Sequence, residues 1–151
     1  MVSDRTQDSF DLERFVKAQS TNYQQALAEL CAGHKCTHWS WYVLPQVRGL
    51  GTSEMSVRYA ISGAAEARAY LSHPVLGARL LECVAAINAH RGLSAVDILG
   101  PVDAQKLHSS LTLFATICSD GSPFHLALDQ YFSGRHDRAT LDILARETKS
   151  R

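Results

Sequence analysis

The stretch His73-Pro74-Val75-Leu76-Gly77-Ala78-Arg79-Leu80-Leu81-Glu82-Cys83-Val84-Ala85-Ala86-Ile87-Asn88-Ala89-His90-Arg91-Gly92 decides the class of fold. Leu76, Leu80, Cys83, Val84 and Ile87 recur at helical spacing and make one apolar stripe, with polar residues opposite. Proline suits the first helical position, where its missing N–H costs nothing, and Gly92 lies beyond the stripe as a stop. The same period continues outward in both directions. Upstream, Ala64 to Leu71 is alanine-rich with Glu66 in its first turn, and Ser53 can cap a short helix running through Tyr59, Ala60 and Ile61. Further back, Tyr23, Ala26, Leu27, Leu30 and Cys31 form a stripe that Gly33 ends. Before it, Phe10, Leu12, Phe15 and Val16 share a face behind a cap at Asp8 or Ser9. Gln19-Ser20-Thr21-Asn22 either breaks or bends the helix between these two runs.

Downstream, Val96 to Leu99 is a helical turn or a brief strand, closed by Gly100-Pro101. Asp103 is placed to cap a helix with Leu107, Leu111, Phe114 and Cys118 inward and Gln105, Lys106 and Ser109 on the other side. Ser119 to Pro123 is a loop and Phe124 to Phe132 a helix that Gly134 stops. Asp137 opens the last helix, in which Leu141 and Leu144 pack. The reading is mainly α: a single compact domain over 9–146 of about seven short helices with at most a minor strand pair, between a flexible start (1–8) and a flexible end (147–151).

A chain of 151 residues buries about 68–70% of its unfolded surface and needs no disulfide or metal to hold it. Its 15 basic residues balance 15 acidic ones, so there is no strong nucleic-acid signal and no electrostatic pull to an anionic membrane. No apolar run is long enough to span a bilayer, and Asp4, Arg5 and Asp8 stand where a signal core would be, which places the chain in the cytoplasm. Cys31, Cys36, Cys83 and Cys118 form no C-x-x-C pair and read as reduced, mostly buried thiols. Cys31, His34, Cys36 and His38 cluster within eight residues without a second pair elsewhere, so no metal and no cofactor is expected.

The chemistry concentrates in Lys35-Cys36-Thr37-His38-Trp39-Ser40-Trp41-Tyr42-Val43-Leu44-Pro45-Gln46-Val47-Arg48-Gly49-Leu50-Gly51-Thr52-Ser53-Glu54. If this segment is extended, Trp39 and Trp41 point to opposite faces, one into the core and one into a cleft. The plainer reading makes Trp39 to Leu44 a buried apolar run ended by proline. Gly49 and Gly51 allow irregular backbone to approach a ligand closely. They lack the third glycine and the preceding strand of a dinucleotide fingerprint. Ser109 and Ser110 sit on a helix without a nucleophile elbow, which argues against serine hydrolase chemistry.

The motifs Arg14-Phe15-x-x-Ala18-Gln19, Lys35-x-x-His38-Trp39-x-Trp41, Pro45-Gln46-x-x-Gly49-Leu50-Gly51-x-Ser53, Tyr59-Ala60-Ile61, Glu66-Ala67-x-x-Tyr70-Leu71-x-His73-Pro74 and Asp103-x-x-Lys106-Leu107-x-Ser109-Ser110-x-Thr112-Leu113-Phe114 resemble, in order and over nearly the whole chain, the bacterial family called domain of unknown function 1810. Some members carry a calpastatin title, which this apolar composition does not support, since calpastatin-type inhibitors are long disordered repeats. A more distant resemblance is to the NADAR proteins, which are associated with NAD and ADP-ribose metabolism and include N-glycosidases. Leu12-Glu13-Arg14-Phe15-Val16-Lys17-Ala18-Gln19 is similar to their Ser-Glu-His-Tyr-x-Gln-Ala-Gln-like helix, with Arg14 in place of the histidine. A rival register places Thr52-Ser53-Glu54 on the same motif.

What this second resemblance implies is binding or cleavage of a nucleotide-related N-glycoside, with a nucleotide or ADP-ribose-like small molecule as partner. Such chemistry needs a carboxylate, a flat apolar surface for the base and a donor for ribose or phosphate oxygens. Glu13 or Glu54 would be the catalytic carboxylate. Trp39 or Trp41 would supply the stacking surface, Lys35, Arg48 or Lys106 the anion contact, and Gln19, His38 and Gln46 further polar contacts. Each has a plainer role: Glu13 and Lys106 as solvated helix residues, His38 bonded to a loop carbonyl, Gln46 satisfying loop backbone. The alternative function is a non-catalytic interaction domain whose motif residues hold the fold.

Overall fold

A computed structural model of the chain describes residues 8–149. The expected flexible start falls, except for Asp8, outside the described residues, as do residues 150–151 of the expected flexible end. Nine helices follow one another among the described residues: α1 (Glu13–Ala32), α2 (Ser40–Val43), α3 (Glu54–Arg58), α4 (Ala64–Ser72), α5 (Leu76–Asn88), α6 (Ala95–Leu99), α7 (Pro101–Ala115), α8 (Pro123–Phe132) and α9 (Arg138–Lys149). The only pairing of strand type among them is a single parallel bridge between Val47 and Ile61.

Helix α5 carries the stripe read from the sequence, with Leu76, Leu80, Cys83, Val84 and Ile87 all buried. It starts two residues after Pro74, where the His73 ring Nδ1 accepts from the backbone N–H groups of Val75 and Leu76 and so serves as the cap. Helix α5 packs on α1, α4 and α8, while α7 packs on α4, α6, α8 and α9, so these two form the centre of the bundle. A file of aromatic rings links α1, α4, α7 and α8: Phe15 meets Tyr70 edge-on at 5.0 Å, Tyr70 meets Phe114 at 5.6 Å, and Phe114 stacks on Phe124 at 5.5 Å. The end of α4 crosses α5 so closely that a Cβ on Gly77 would sit 1.9 Å from the Leu71 carbonyl oxygen.

Several local expectations are corrected. Helix α1 is continuous through Gln19-Ser20-Thr21-Asn22, because Gln19 faces inward on the same stripe as Phe15 and Tyr23 and its side chain is bonded there. The α1 start is fastened by Asp8, whose carboxylate accepts from Leu12 N and Glu13 N, and its end by Gly33 in the left-handed region at φ 77. Cys31 is exposed, as is Cys36, so only Cys83 is a fully buried thiol. The segment around the tryptophans is a helical turn rather than extended, since Tyr42 N, Val43 N and Leu44 N turn back onto Trp39 O and Ser40 O. The run Val96 to Leu99 is helical, opened by a capping box between Ser94 and Asp97. Helix α7 starts at Gly100-Pro101, not at Asp103, whose carboxylate is engaged elsewhere.

Ser109 is buried, its hydroxyl donating to Asp137 Oδ2 at 2.9 Å. Asp137 thereby caps α9 and ties it to α7 at once, with Thr140 N and Thr140 Oγ1 also donating to Oδ2. Burial works against the Asp137 charge, but the bonds from Thr140 and Ser109 hold its carboxyl below the usual range. Leu141 is only half-buried, and Ile143 and Leu144 make the apolar contacts of this helix. Helix α9 runs on to Lys149, and the Glu147 carboxylate within it accepts from Ala64 N at 3.2 Å.

Candidate functional site

The segment from Gly33 to Ile61 is organised by two carboxyl-centred knots, one buried and one half-buried. The first is Glu29, on the inner face of α1. Its Oε1 accepts from Cys36 N (2.8 Å), Thr37 N (3.0 Å) and Trp39 Nε1 (2.9 Å), and its Oε2 from Thr37 Oγ1 (2.7 Å) and Gln25 Nε2 (2.8 Å). Burial opposes the charge, yet the donors from Gln25, Thr37 and Cys36 outweigh it and hold the carboxyl far below the carboxylate range. Glu29 therefore winds the loop after α1 around itself and draws the Trp39 ring into the core, where it is 1% exposed.

The second knot is Asp103, in the first turn of α7. Lys35 Nζ lies 2.7 Å from its Oδ2 and Lys106 Nζ 3.5 Å from its Oδ1. Each ammonium also lies over an indole, Lys35 at 5.0 Å from the Trp39 ring centre and Lys106 at 4.7 Å from that of Trp41. Burial again works against the Asp103 charge, and the bonds from Lys35 and Ser40 with the two ammonium charges keep its carboxyl low. Trp39, Lys35, Asp103, Lys106 and Trp41 thus form one alternating assembly, of which the Trp41 end reaches the surface.

Beyond α2 the chain passes Pro45 and enters the bridge with Ile61, whose N–H donates to Gln46 O (2.9 Å) and whose carbonyl accepts from Arg48 N (2.7 Å). Successive side chains of extended backbone alternate in direction. Val47 is accordingly buried, and Gln46 and Arg48 face outward on the opposite side. Gly49 then takes φ 104, a conformation that disfavours any side chain. At Gly51 a Cβ would sit 2.6 Å from Ser56 Oγ, because Ser53 caps α3 and its hydroxyl bonds that of Ser56. The product is a pocket of about 40 Å³ lined by Trp41, Gln46, Arg48, Gly51, Ser56 and Tyr59 among others.

Tyr59 and Ala60, in the wall of that pocket, are clamped together with Arg58 by Arg14. Its guanidinium donates to Arg58 O, Ala60 O, Phe10 O and Asp11 O, and pairs with the buried Glu66 at 3.0 Å. On the far side of Tyr59 lies a broader groove of about 400 Å³ between Asp11, Glu13, Arg14, Lys17, Ala18 and Arg58.

Of the site residues read from the sequence, the structure brings Trp41, Gln46, Arg48 and Lys106 together. Glu13 lies in the separate groove, exposed, and Glu54 is exposed in the first turn of α3 without lining either hollow. Three others are turned to the interior. Gln19 is 1% exposed, its Nε2 donating to Tyr42 O and Tyr70 Oη while its Oε1 accepts from Arg79. Trp39 is spent on Glu29, and Lys35, its side chain 5% exposed, on Asp103. His38 is exposed on the loop before Trp39. Glu29, Arg14 and Asp103 were missed as organisers, although Gln19 and Glu29 stand on or beside the apolar stripe of α1, where a polar side chain demands partners. Cys31, His34, Cys36 and His38 are all exposed, and no group of three or more metal-ligating side chains converges among the described residues. No described helix is long and apolar enough to cross a membrane.

A family model described as "Protein of unknown function (DUF1810)" matches residues 9–144. The chain belongs to this family. The DUF1810 chain is also similar, at 48% identity and a TM-score of 0.89, to the crystal structure of the conserved hypothetical protein Rv1873 from Mycobacterium tuberculosis, over 91% of this chain and 99% of that one. No curated protein matches it.

Proposed function

We propose that this DUF1810 protein binds a nucleotide- or ADP-ribose-type small molecule at the Trp41 pocket, and that it binds the ligand without hydrolysing its N-glycosidic bond. The observation that carries the reading is the position of Trp41. It is a half-exposed indole with the Lys106 ammonium over its ring, and it adjoins the outward Gln46 and Arg48 and the bare backbone of Gly49 and Gly51. An aromatic surface, fixed cations and a free amide are the groups that a flat base carrying an anion requires. Hydrolysis would need a carboxylate beside the bond, and neither Glu13 nor Glu54 lines this pocket. The resemblance of Leu12–Gln19 to the NADAR helix lends this pocket nothing, because Glu13 lies in the separate groove and Gln19 is spent on the core. The free thiols suit the reducing cytoplasm in which such ligands are met.

A second reading, a non-catalytic interaction domain, is favoured by the number of motif residues that hold the fold: Gln19, Lys35, Trp39 and Arg14 are all bonded inside it. A thermal-shift series with ADP-ribose, NAD and ADP separates the two, because a ligand that binds only the folded state raises the midpoint. A rise that Trp41→Ala abolishes supports the nucleotide reading. No rise with any of the three leaves the interaction domain.

A further inference from the structure

Gln46 lines the pocket, and its carboxamide has no hydrogen-bond partner among the described residues, although its own backbone carbonyl is held by Ile61 N. Its direction is set by the chain, since the bridge fixes Gln46 and Arg48 on either side of the buried Val47. Ser56 is differently placed: its Oγ is bonded to Ser53 Oγ within the α3 cap. Gly49 and Gly51 offer backbone only. The pocket holds about 40 Å³, well short of the roughly 150 Å³ cavity that takes up a benzene ring, so it admits a group of a few atoms and leaves a ring outside, against Trp41.

From this geometry we infer that Gln46 selects the ligand, pairing its carboxamide with a base edge that sets a donor beside an acceptor, as the 6-amino edge of adenine does; the inference rests on the nucleotide reading above. A carboxamide presents both an NH₂ donor and a carbonyl acceptor, and its two-pronged pairing with adenine is an established form of recognition. The amino edge enters the pocket, the ring lies against Trp41, and the phosphates fall toward Arg48 and Lys106. A site built to bond an amino group rejects the analogue that lacks it, because its own amide is then left without a partner.

The test is calorimetric titration of the full chain with ADP and with purine riboside 5′-diphosphate, which keeps the sugar and phosphates and lacks only the 6-amino group. Wild type binds ADP about tenfold more tightly than the analogue, the worth of one well-made hydrogen bond. Gln46→Leu, and Gln46→Met with the same length and no amide, abolish the preference: ADP weakens most, and the analogue weakens less, since its ring nitrogen still accepts from the wild-type carboxamide. Their melting midpoints stay at the wild-type value, since the Gln46 side chain bonds nothing in the fold. Two results overturn the assignment while nucleotide binding stands: no preference for ADP in wild type, or an undiminished preference in both variants. Failure of wild type to bind either diphosphate overturns the nucleotide reading itself, and this inference with it.

Discussion

Replacing Glu29 by glutamine removes one charge and almost no volume from the knot that shapes the whole segment before α2. Five hydrogen bonds converge on the carboxylate, three on Oε1 and two on Oε2. A bond to a charged acceptor contributes about 1.5–3 kcal/mol net, and a neutral one about 0.5–1.5 kcal/mol, so each of the three donors on Oε1 loses about 1 kcal/mol. The new NH₂ faces Thr37 and Gln25, which can each reorient to accept. Glu29→Gln is therefore expected to cost about 3–4 kcal/mol at pH 7. Glu29→Ala costs about 5 kcal/mol, since Trp39 Nε1 is left buried without an acceptor and the part-buried Cys36 N and Thr37 N lose theirs.

Urea denaturation followed by far-UV circular dichroism measures the difference, and its pH dependence supplies a second reading. The folded pKa of Glu29 is depressed, so its stabilisation is present above the unfolded value near about 4.3 and is lost as the pH falls toward the folded one. The gap between wild type and Glu29→Gln accordingly closes as the pH falls below about 4. Asp103 and Asp137 are depressed too, but they are present in both proteins and cancel in the difference. A Glu29→Gln variant within about 0.5 kcal/mol of wild type at pH 7, or a gap that persists unchanged at pH 3, would refute the reasoning.

Gly77→Ala puts a methyl group 1.9 Å from the Leu71 carbonyl oxygen, a backbone atom that cannot rotate away; it should cost about 2–4 kcal/mol, read as a lowered urea midpoint. An unchanged midpoint would mean that α4 and α5 do not cross this closely. Trp39→Ala should destabilise by about 3–5 kcal/mol through the cavity and the lost bond to Glu29, whereas Trp41→Ala, half-exposed, should cost less than about 2 kcal/mol. Equal losses in paired denaturation curves would show that Trp41 is core.

What the sequence made legible follows from range. The α5 stripe, the Gly33 stop, the Asp137 opening of α9 and the Ser53 cap are decided within one or two turns, and periodicity and capping chemistry carry them. One indole inside and one at the surface is what the extended reading implies, but the structure reaches it by another route, with Trp39 inward and Trp41 half-exposed. An extended strand alternates its side chains, but here the ring of Trp39 goes inward because Glu29, ten residues earlier, accepts its indole N–H. The misreadings involve partners distant in the chain. Ser109 looks outward until Asp137 arrives from 28 residues away, and Asp103 looks like a cap until Lys35 claims it. No spacing rule connects Arg14 to the carbonyl of Ala60, 46 residues on. The candidate site was legible as a segment and not as a surface, since which of its polar groups remain free depends on which have been taken by the interior.

Helix α9 touches the site from the far end of the chain. Ile143 lies against Gly49, and the Glu147 carboxylate fills the space that a side chain on Gly63 would occupy while bonding Ala64 N, 83 residues earlier. This has a consequence for biosynthesis. A ribosome adding roughly 5–20 residues per second takes roughly 4–17 s to travel from Ala64 to Glu147. Through that interval the glycine loop and the turn before α4 have been made but their buttress has not, so the pocket is completed only as the last helix emerges. Truncation of the C-terminal residues during synthesis would therefore release a chain with its central helices in place and the Trp41 pocket unfinished.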